Sequence, residues 1–129
     1  MLAHAVRGAP WEACGLFGGR YGSDLVTEFV PMSNAAASPV IYRLDAQEQL
    51  DVETSIEAAG LATLGVMHSH VQTAPYPSAT DIADAARFDP LGTMHFVIVS
   101  LKRAEPVLRN FRIIDGAVRE IPVKVVPNQ

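Results

Sequence analysis

Residues 61–81 read LATLGVMHSHVQTAPYPSATD, and this stretch decides the fold. It begins with an apolar run, Leu61–His68, which is typical of a buried β-strand. A loop with two prolines follows at Val71–Pro77, and Ser78 then stands where a helix N-cap belongs, with Asp81 at the third helical position. The sequence therefore predicts a strand, a loop and a helix, with polar side chains gathered where the strand ends.

His68 and His70 are predicted to face the same side of that strand. Side chains alternate across a strand, so residues two apart share a face and have Cα atoms roughly 6.5 Å apart. Both imidazoles can then reach one ion, and the loop before Asp81 can fold back to add a carboxylate. Two histidines and a carboxylate leave the fourth tetrahedral position for water, which is the arrangement of a catalytic zinc. We expect His68, His70 and Asp81 to bind zinc.

A hydrolytic zinc site also needs a proton acceptor and a donor to the developing oxyanion. Glu12 is the best upstream candidate for the proton acceptor because it follows Pro10 and precedes a buried strand. Its distance from the histidines does not follow from the spacing, so an ordinary surface acid stays an alternative. Ser78 can donate its hydroxyl to the oxyanion, or it can serve only as the helix cap.

Other residues of metal-binding type have plainer explanations. His95, in the run Met94-His95-Phe96-Val97, is expected to be a strand residue rather than a ligand. Cys14 is the chain's one cysteine and is expected to be a small buried residue, with no second thiolate beside it. His4 is expected to be exposed. The chain contains no HExxH and no PCxxC, which excludes the zincin and zinc-deaminase patterns.

Length and composition are those of one globular domain over residues 1–129, with 49% hydrophobic and 19% charged residues. The net charge is −4 and the basic residues are scattered, so we expect no nucleic-acid partner. No apolar run reaches the length of a membrane span, so no membrane partner is expected either. The lone cysteine and the lack of an apolar leader favour the cytoplasm.

The rest of the chain predicts hairpins and helices around the central strand. Helices are expected over 2–8, 46–59 and 79 to about 88, and the further strands over 14–19, 25–32, 93–101, 106–114 and 117–126, with a short extended piece at 40–44. The predicted fold class is α/β or α+β, with a mixed sheet and helices packed on it.

The five site residues match the JAMM motif, which is a Glu upstream, then HxH, seven residues, Ser, two residues and Asp. The segment Pro10–Gly15, PWEACG, is also similar to the P-x-E-x-C-G segment of bacterial members. The chain thus resembles the JAMM/MPN-domain zinc metalloproteases over nearly its whole length. The resemblance implies an MPN-like (cytidine-deaminase-like) mixed sheet and one Zn²⁺ per chain. In the same order as the motif, it implies that Glu12 is the general acid/base, that His68, His70 and Asp81 bind zinc, and that Ser78 stabilises the oxyanion.

Further segments are similar to one subgroup of this family, the actinobacterial enzymes that hydrolyse a cysteine adduct on a sulfur-carrier protein. The similar segments are Pro31–Asn34, Ser38–Pro39, Tyr42–Asp45, Ala74–Ser78 and Arg112–Val118. The resemblance implies a ubiquitin-like partner with a C-terminal Gly-Gly, and cleavage of the amide bond at that end to release cysteine.

Two alternative functions remain open at this point. One is a general isopeptidase on ubiquitin-like conjugates, although Thr93 follows Asp81 by only twelve positions and leaves no room for the long insertion of eukaryotic deubiquitinases. The other is a non-catalytic MPN scaffold, a class that usually loses motif residues. A homodimer through strand edges is compatible with the sequence, but no residue identifies its surface.

The start of the chain departs from the family pattern, since nine residues precede Pro10 where relatives have more. This predicts a short start or a missing N-terminal edge strand. A truncated start would in turn predict a frayed first helix and a less firmly held Glu12.

Overall fold

A computed structural model describes residues 1–126, which contain three helices and six strands. The helices are α1 (Leu2–Gly8), α2 (Ala46–Ala58) and α3 (Ala79–Phe88), and the strands are β1 (Cys14–Gly19), β2 (Glu28–Met32), β3 (Ala62–His70), β4 (His95–Ser100), β5 (Val107–Ile114) and β6 (Ala117–Ile121). The last three residues of the predicted domain, 127–129, lie outside the described residues. Within the described part of the chain, no helix is long and apolar enough to cross a lipid bilayer.

The six strands form one sheet in the order β2-β1-β3-β4-β5-β6. Neighbouring strands are antiparallel except for β3 and β4, which run parallel and are connected through α3. The predicted mixed sheet with helices packed on it is confirmed. The strand that ends in the two histidines lies inside the sheet, between β1 and β4, so both of its edges are paired.

The sheet buries apolar side chains on both faces. On one face α2 and α3 pack through Ile56 and Ala85 against a cluster that includes Leu16, Val66 and Phe96. On the other face α1 packs through Ala5, and the cluster there consists of Ala5, Phe17, Met67, Val97 and Val99. Because side chains alternate along β1, β3 and β4, each strand contributes to both clusters. This burial fixes the register of the central strands.

Several predicted bounds were wrong at the strand ends. β2 begins at Glu28 rather than at residue 25, since the Leu25 amide donates to the Ser23 hydroxyl instead of joining the ladder (3.1 Å). β6 ends at Ile121 rather than at residue 126, because Pro122 has no amide proton to donate. The predicted extended piece at 40–44 forms no strand of the sheet.

The first helix is formed, and its residue Ala5 is fully buried. His4 was expected to be exposed, and this is wrong, because its Nε2 lies 2.9 Å from the Cys14 carbonyl oxygen and the residue is half-buried. A histidine in α1 is thereby tied to the first residue of β1.

Candidate active site

Three side chains converge at the end of β3. The Nε2 atoms of His68 and His70 are 3.1 Å apart, and Asp81 Oδ2 lies 3.2 Å from the first and 3.1 Å from the second. Both histidines are buried, and Asp81 is mostly covered. In residues 1–126 this is the one group of three or more His, Cys, Asp or Glu side chains whose ligand atoms converge in this way. The three residues singled out as ligands from the sequence are therefore brought together.

Local geometry places Asp81. Ser78 is the N-cap of α3, and its hydroxyl accepts a hydrogen bond from the Asp81 amide at 3.1 Å. In return, Asp81 Oδ2 accepts a hydrogen bond from the Ser78 amide at 2.8 Å, which completes a capping box. The helix N-terminus also favours a negative side chain in its first turn. The same carboxylate oxygen that caps the helix faces both histidines.

The loop after β3 orients the His70 ring. His70 Nδ1 lies 2.9 Å from the carbonyl oxygen of Ala74. Because a carbonyl can only accept, Nδ1 carries the proton, and the Nε2 of the neutral ring presents its lone pair to the cluster. Ser100 holds this loop in turn, since its hydroxyl donates to the Thr73 carbonyl at 2.5 Å.

The donor set fits zinc. The three atoms, two imidazole nitrogens and a carboxylate oxygen, lie 3.1–3.2 Å from one another, so a single cation between them can contact all three. The edges of a tetrahedron with bonds of about 2.0 Å are about 3.3 Å long, close to the observed separations. Burial lowers the pKa of His68 and so favours its neutral, ligating form. Burial would by itself raise the pKa of Asp81, but its contacts with His68 and His70 and the hydrogen bond from the Ser78 amide hold it well below its ordinary value.

Glu12 is buried beside this cluster, with only 4% of its surface exposed. Burial raises its pKa to about 7, while the charge of His70 lowers this pKa and that of Asp81 raises it, so all three interact electrostatically. A carboxyl group with a pKa near neutrality can both take up and return a proton. The Glu12 amide donates to the Ser38 carbonyl at 2.7 Å, so the expectation that Glu12 is loosely held is wrong.

Ser69, between the two histidines, ties Glu12's segment to β3. Its hydroxyl accepts a hydrogen bond from the Ala13 amide at 2.7 Å, and its own amide donates to the Ala13 carbonyl at 2.9 Å. Ser69 is fully buried, so this pair is shielded from water. The sequence analysis missed Ser69, and its only signal was its place between two predicted ligands.

Tyr42 lies flat against His68. Their ring centroids are 4.4 Å apart and the planes differ by 20°. His68 Nδ1 is buried and has no hydrogen-bond partner among the described residues, unlike His70 Nδ1. Stacking on Tyr42 therefore restricts the orientation of the His68 ring, as the Ala74 carbonyl does for the His70 ring. Sequence analysis missed this contact because Tyr42 reads as one apolar residue of an extended piece.

Asn34 connects these segments. Its Nδ2 donates to the Glu12 carbonyl at 3.0 Å and to the Ile41 carbonyl at 2.9 Å. Its Oδ1 accepts from the Arg43 amide at 3.0 Å. One side chain thus holds the extended piece that carries Tyr42 against the backbone of Glu12. An asparagine in a loop is an ordinary turn residue, so the local residue pattern did not indicate this connecting role.

Two of the residues given plainer explanations, His95 and Cys14, lie where those explanations put them. His95 is at the start of β4, with Nδ1 2.9 Å from Asn110 Nδ2. Cys14 is fully buried, its Sγ lies 3.5 Å from the Ser33 carbonyl oxygen, and burial raises the pKa of its thiol to about 12. Neither belongs to the ligand cluster.

A buried His-His-Asp cluster with a glutamate beside it, on a mixed sheet, is the arrangement that the resemblance to the JAMM/MPN-domain proteins implies. The family model of the prokaryotic homologs of the JAB domain matches residues 1–114. The chain belongs to this family, and the resemblance to the JAMM/MPN proteins is confirmed.

Individual relatives sharpen this assignment. The chain is 46% identical over 129 residues to the CysO-cysteine peptidase of Mycobacterium tuberculosis, covering 98% of this chain and 84% of that one. It is 43% identical over 86 residues to the desampylase of Haloferax volcanii, covering 63% of this chain and 62% of that one. Among solved structures, a Desulfitobacterium hafniense protein superposes with a TM-score of 0.80 at 36% identity, covering 94% of this chain and 82% of that one.

Proposed function

We propose that this chain is a zinc-dependent amide hydrolase that acts at the C-terminal Gly-Gly end of a ubiquitin-like sulfur-carrier protein and releases cysteine. The observation that carries the proposal is the convergence of His68, His70 and Asp81 at 3.1–3.2 Å with Glu12 buried beside them. The likeness to a CysO-cysteine peptidase over nearly the whole chain supports the substrate class.

In the proposed mechanism, His68, His70 and Asp81 would hold one Zn²⁺ per chain. Bound zinc supplies a Lewis acid that polarises the scissile carbonyl and lowers the pKa of water. Glu12 takes the proton from the attacking water and delivers it to the leaving amine, as its raised pKa allows. Its burial keeps competing solvent protons away from that carboxyl group.

Ser78 is the proposed donor to the oxyanion. Its Oγ accepts the Asp81 amide, so the hydroxyl proton is not used in the cap and stays available to a developing negative charge. Ser78 is exposed, so a substrate carbonyl can approach it. The two interpretations that the sequence left open, cap and oxyanion donor, are therefore compatible in one residue.

We infer that the carrier's thin C-terminal tail, rather than a bulky chain, enters the site. The segment between α3 and β4 is short and closed on itself, because the Asp89 carboxylate accepts hydrogen bonds from the Thr93 and Met94 amides at 2.9 and 3.0 Å. An extended tail can add to a sheet edge, and β2 and β6 are the edge strands. We further propose that the chain is a single cytoplasmic domain.

A second candidate is an isopeptidase that separates ubiquitin-like modifiers from proteins. The likeness to the Haloferax volcanii desampylase favours it, although it covers 63% of this chain. The two candidates share the whole chemical mechanism and differ in the leaving amine, which is free cysteine in one and a lysine side chain in the other.

The test combines metal analysis with hydrolysis of two substrates, a carrier–cysteine adduct and a carrier–lysine isopeptide. We expect about one zinc per chain and faster cleavage of the cysteine adduct. The Glu12→Gln variant should keep its zinc and lose about 10²–10⁴-fold in turnover, as removal of a general acid/base does.

Glu57→Gln, the same exchange at an exposed position of α2, is the control and should behave as wild type. Faster cleavage of the isopeptide would replace the first candidate by the second. Zinc binding without hydrolysis of either substrate would overturn both and leave a scaffold.

A further inference from the structure

A polar cavity of about 600 Å³ opens beside the ligand cluster. Its lining includes Tyr42, Arg43, Thr80, Asp84 and Arg87. Tyr42 stacks on His68, and Thr80 directly precedes Asp81, so two residues of the lining adjoin proposed zinc ligands. A group attached to the scissile bond can extend into it.

The charged side chains that line this cavity are Asp84, Arg43 and Arg87, and further carboxylates lie near it. Asp84 lies in its wall, and Asp81 and Glu12 lie behind Tyr42, whose pKa all three raise through their negative charge after the larger effect of burial. These carboxylates repel an anionic substrate group, so such a group is stable here only beside a cation of the lining. The leaving amine of the proposed reaction is an amino acid, and it carries an α-carboxylate. A cation must therefore meet that carboxylate.

Two cations line the cavity, and they differ in their partners. Arg87 is already paired, with a distance of 2.5 Å between its Nη2 and Asp84 Oδ1. Within residues 1–126, the Arg43 guanidinium forms no ion pair and no hydrogen bond. The planar fork of an arginine matches a carboxylate with two parallel hydrogen bonds. Arg43 is thus the available carboxylate-binding group.

The backbone of Arg43 is fixed relative to the catalytic residues. Its amide donates to Asn34 Oδ1 at 3.0 Å, and its carbonyl accepts the Ala35 amide at 2.8 Å. Asn34 also holds the Glu12 carbonyl, and the neighbouring Tyr42 contacts His68. A carboxylate bound by Arg43 would therefore lie at a set distance from the residues that act on the amide bond, which is the requirement for positioning a substrate.

We propose that Arg43 binds the α-carboxylate of the amino acid that leaves, and so selects adducts with an amino acid over isopeptides. This inference rests on the proposed function, since it names the group that recognises the leaving amine. It assigns Arg43 to substrate specificity and leaves zinc binding and proton transfer to the residues already described.

The test compares two adducts of the same carrier protein, one with cysteine and one with cysteine carboxamide, which lacks the negative charge. Wild type should prefer the cysteine adduct in kcat/KM by about 10- to 100-fold, the size of a charge-assisted hydrogen-bond pair. Arg43→Met should lose this preference by slowing only the cysteine adduct. Arg43→Lys should keep part of it, and zinc content should stay at the wild-type level in both variants.

Arg103→Met is the matched control, an equally conservative loss of an exposed charge outside the cavity, and it should leave both rates unchanged. Equal slowing of both adducts by Arg43→Met would mean that Arg43 binds the carrier protein, and would overturn the inference. Equal wild-type rates on both adducts would overturn it as well while the proposed function stands. Hydrolysis of neither adduct by wild type would overturn the proposed function itself.

Discussion

The candidate site has two parts that are built in different ways. The proposed metal-binding part, His68, His70 and Asp81, comes from one strand, one loop and one helix start within 14 consecutive residues. The supporting part, Glu12, Asn34 and Tyr42, comes from three separate segments earlier in the chain and reaches the first part only through tertiary contacts. Strand alternation and a helix cap suffice for the metal-binding part, whereas the supporting part needs the completed sheet.

The largest expected effect is a difference in zinc content between a variant of the metal-binding part and a variant of the supporting part. His70→Ala removes a nitrogen that lies 3.1 Å from each of the other two ligand atoms, so zinc binding and hydrolysis should both be lost. Glu12→Gln, in the supporting part, should lose hydrolysis alone. Zinc measured by atomic spectrometry, together with circular dichroism to check the fold, tests this. Full zinc occupancy in His70→Ala would show that the ligand set is wrong, and His95→Ala is the histidine control.

The second-largest expected effect tests whether the supporting part contributes to metal affinity. Tyr42→Ala removes the ring that stacks on His68, whose Nδ1 has no hydrogen-bond partner in residues 1–126. Loss of a group that orients a ligand typically weakens metal affinity 10–100-fold, so we expect a drop of about that size in a chelator competition titration.

Two further variants separate orientation from packing. Tyr42→Phe keeps the stacked ring and should keep the affinity. Leu44→Ala removes a side chain of the same segment that packs on the same apolar cluster and takes no part in the ring stacking, so it should change stability but not affinity. If Leu44→Ala weakens zinc binding as much as Tyr42→Ala does, the stacking has no specific role.

A smaller effect concerns the hydrogen bonds between Ser69 and Ala13, which connect the two parts. Ser69→Ala leaves the buried Ala13 amide without its acceptor, which costs about 1–3 kcal/mol of unfolding free energy. Because Ala13 adjoins Glu12, kcat should fall while zinc content stays constant. Urea unfolding and kinetics measure both. Ile56→Val, a core change of about 0.5–1.5 kcal/mol, is the control that should lower stability and spare kcat. An unchanged kcat in Ser69→Ala would limit Ser69 to a structural role.

The smallest effect is a pH dependence in the zinc-free protein. Burial raises the pKa of Glu12 from 4.5 to about 7, so the folded chain holds this proton more tightly than the unfolded chain does. The resulting stability is fully present below pH 4.5 and is lost as the pH rises through about 7. The difference in unfolding free energy between wild type and Glu12→Gln should therefore shift across this window.

Carboxyl ¹³C NMR of Glu12 reports the same titration directly. We expect a midpoint near pH 7 without metal and a lower midpoint with zinc, because a nearby cation favours the carboxylate. A midpoint near 4.5 in the zinc-free protein would mean that Glu12 is solvated and does not lie in the buried position described above.

The sequence predicts the features that depend on local signals, and it fails for those that depend on tertiary contacts. β1 and the start of α3 have the predicted bounds, because apolar runs and a serine N-cap are local signals. The ends of β2 and β6 differ, because a competing serine hydroxyl and a proline decide where pairing stops. The residue pattern could place the histidines on one face, but only the motif match could assign a role to Glu12.

The sequence by itself determined the ligand set, since alternation along a strand and the reciprocal bonds of a capping box act over a few residues and need no other part of the chain. Only the tertiary structure decided what surrounds it. The pairing of β1 with β3 sets Glu12 beside the histidines through Ala13 and Ser69, and the fold of residues 33–44 brings Asn34 to Glu12. These contacts join residues far apart in the chain, and no local periodicity encodes which of them meet.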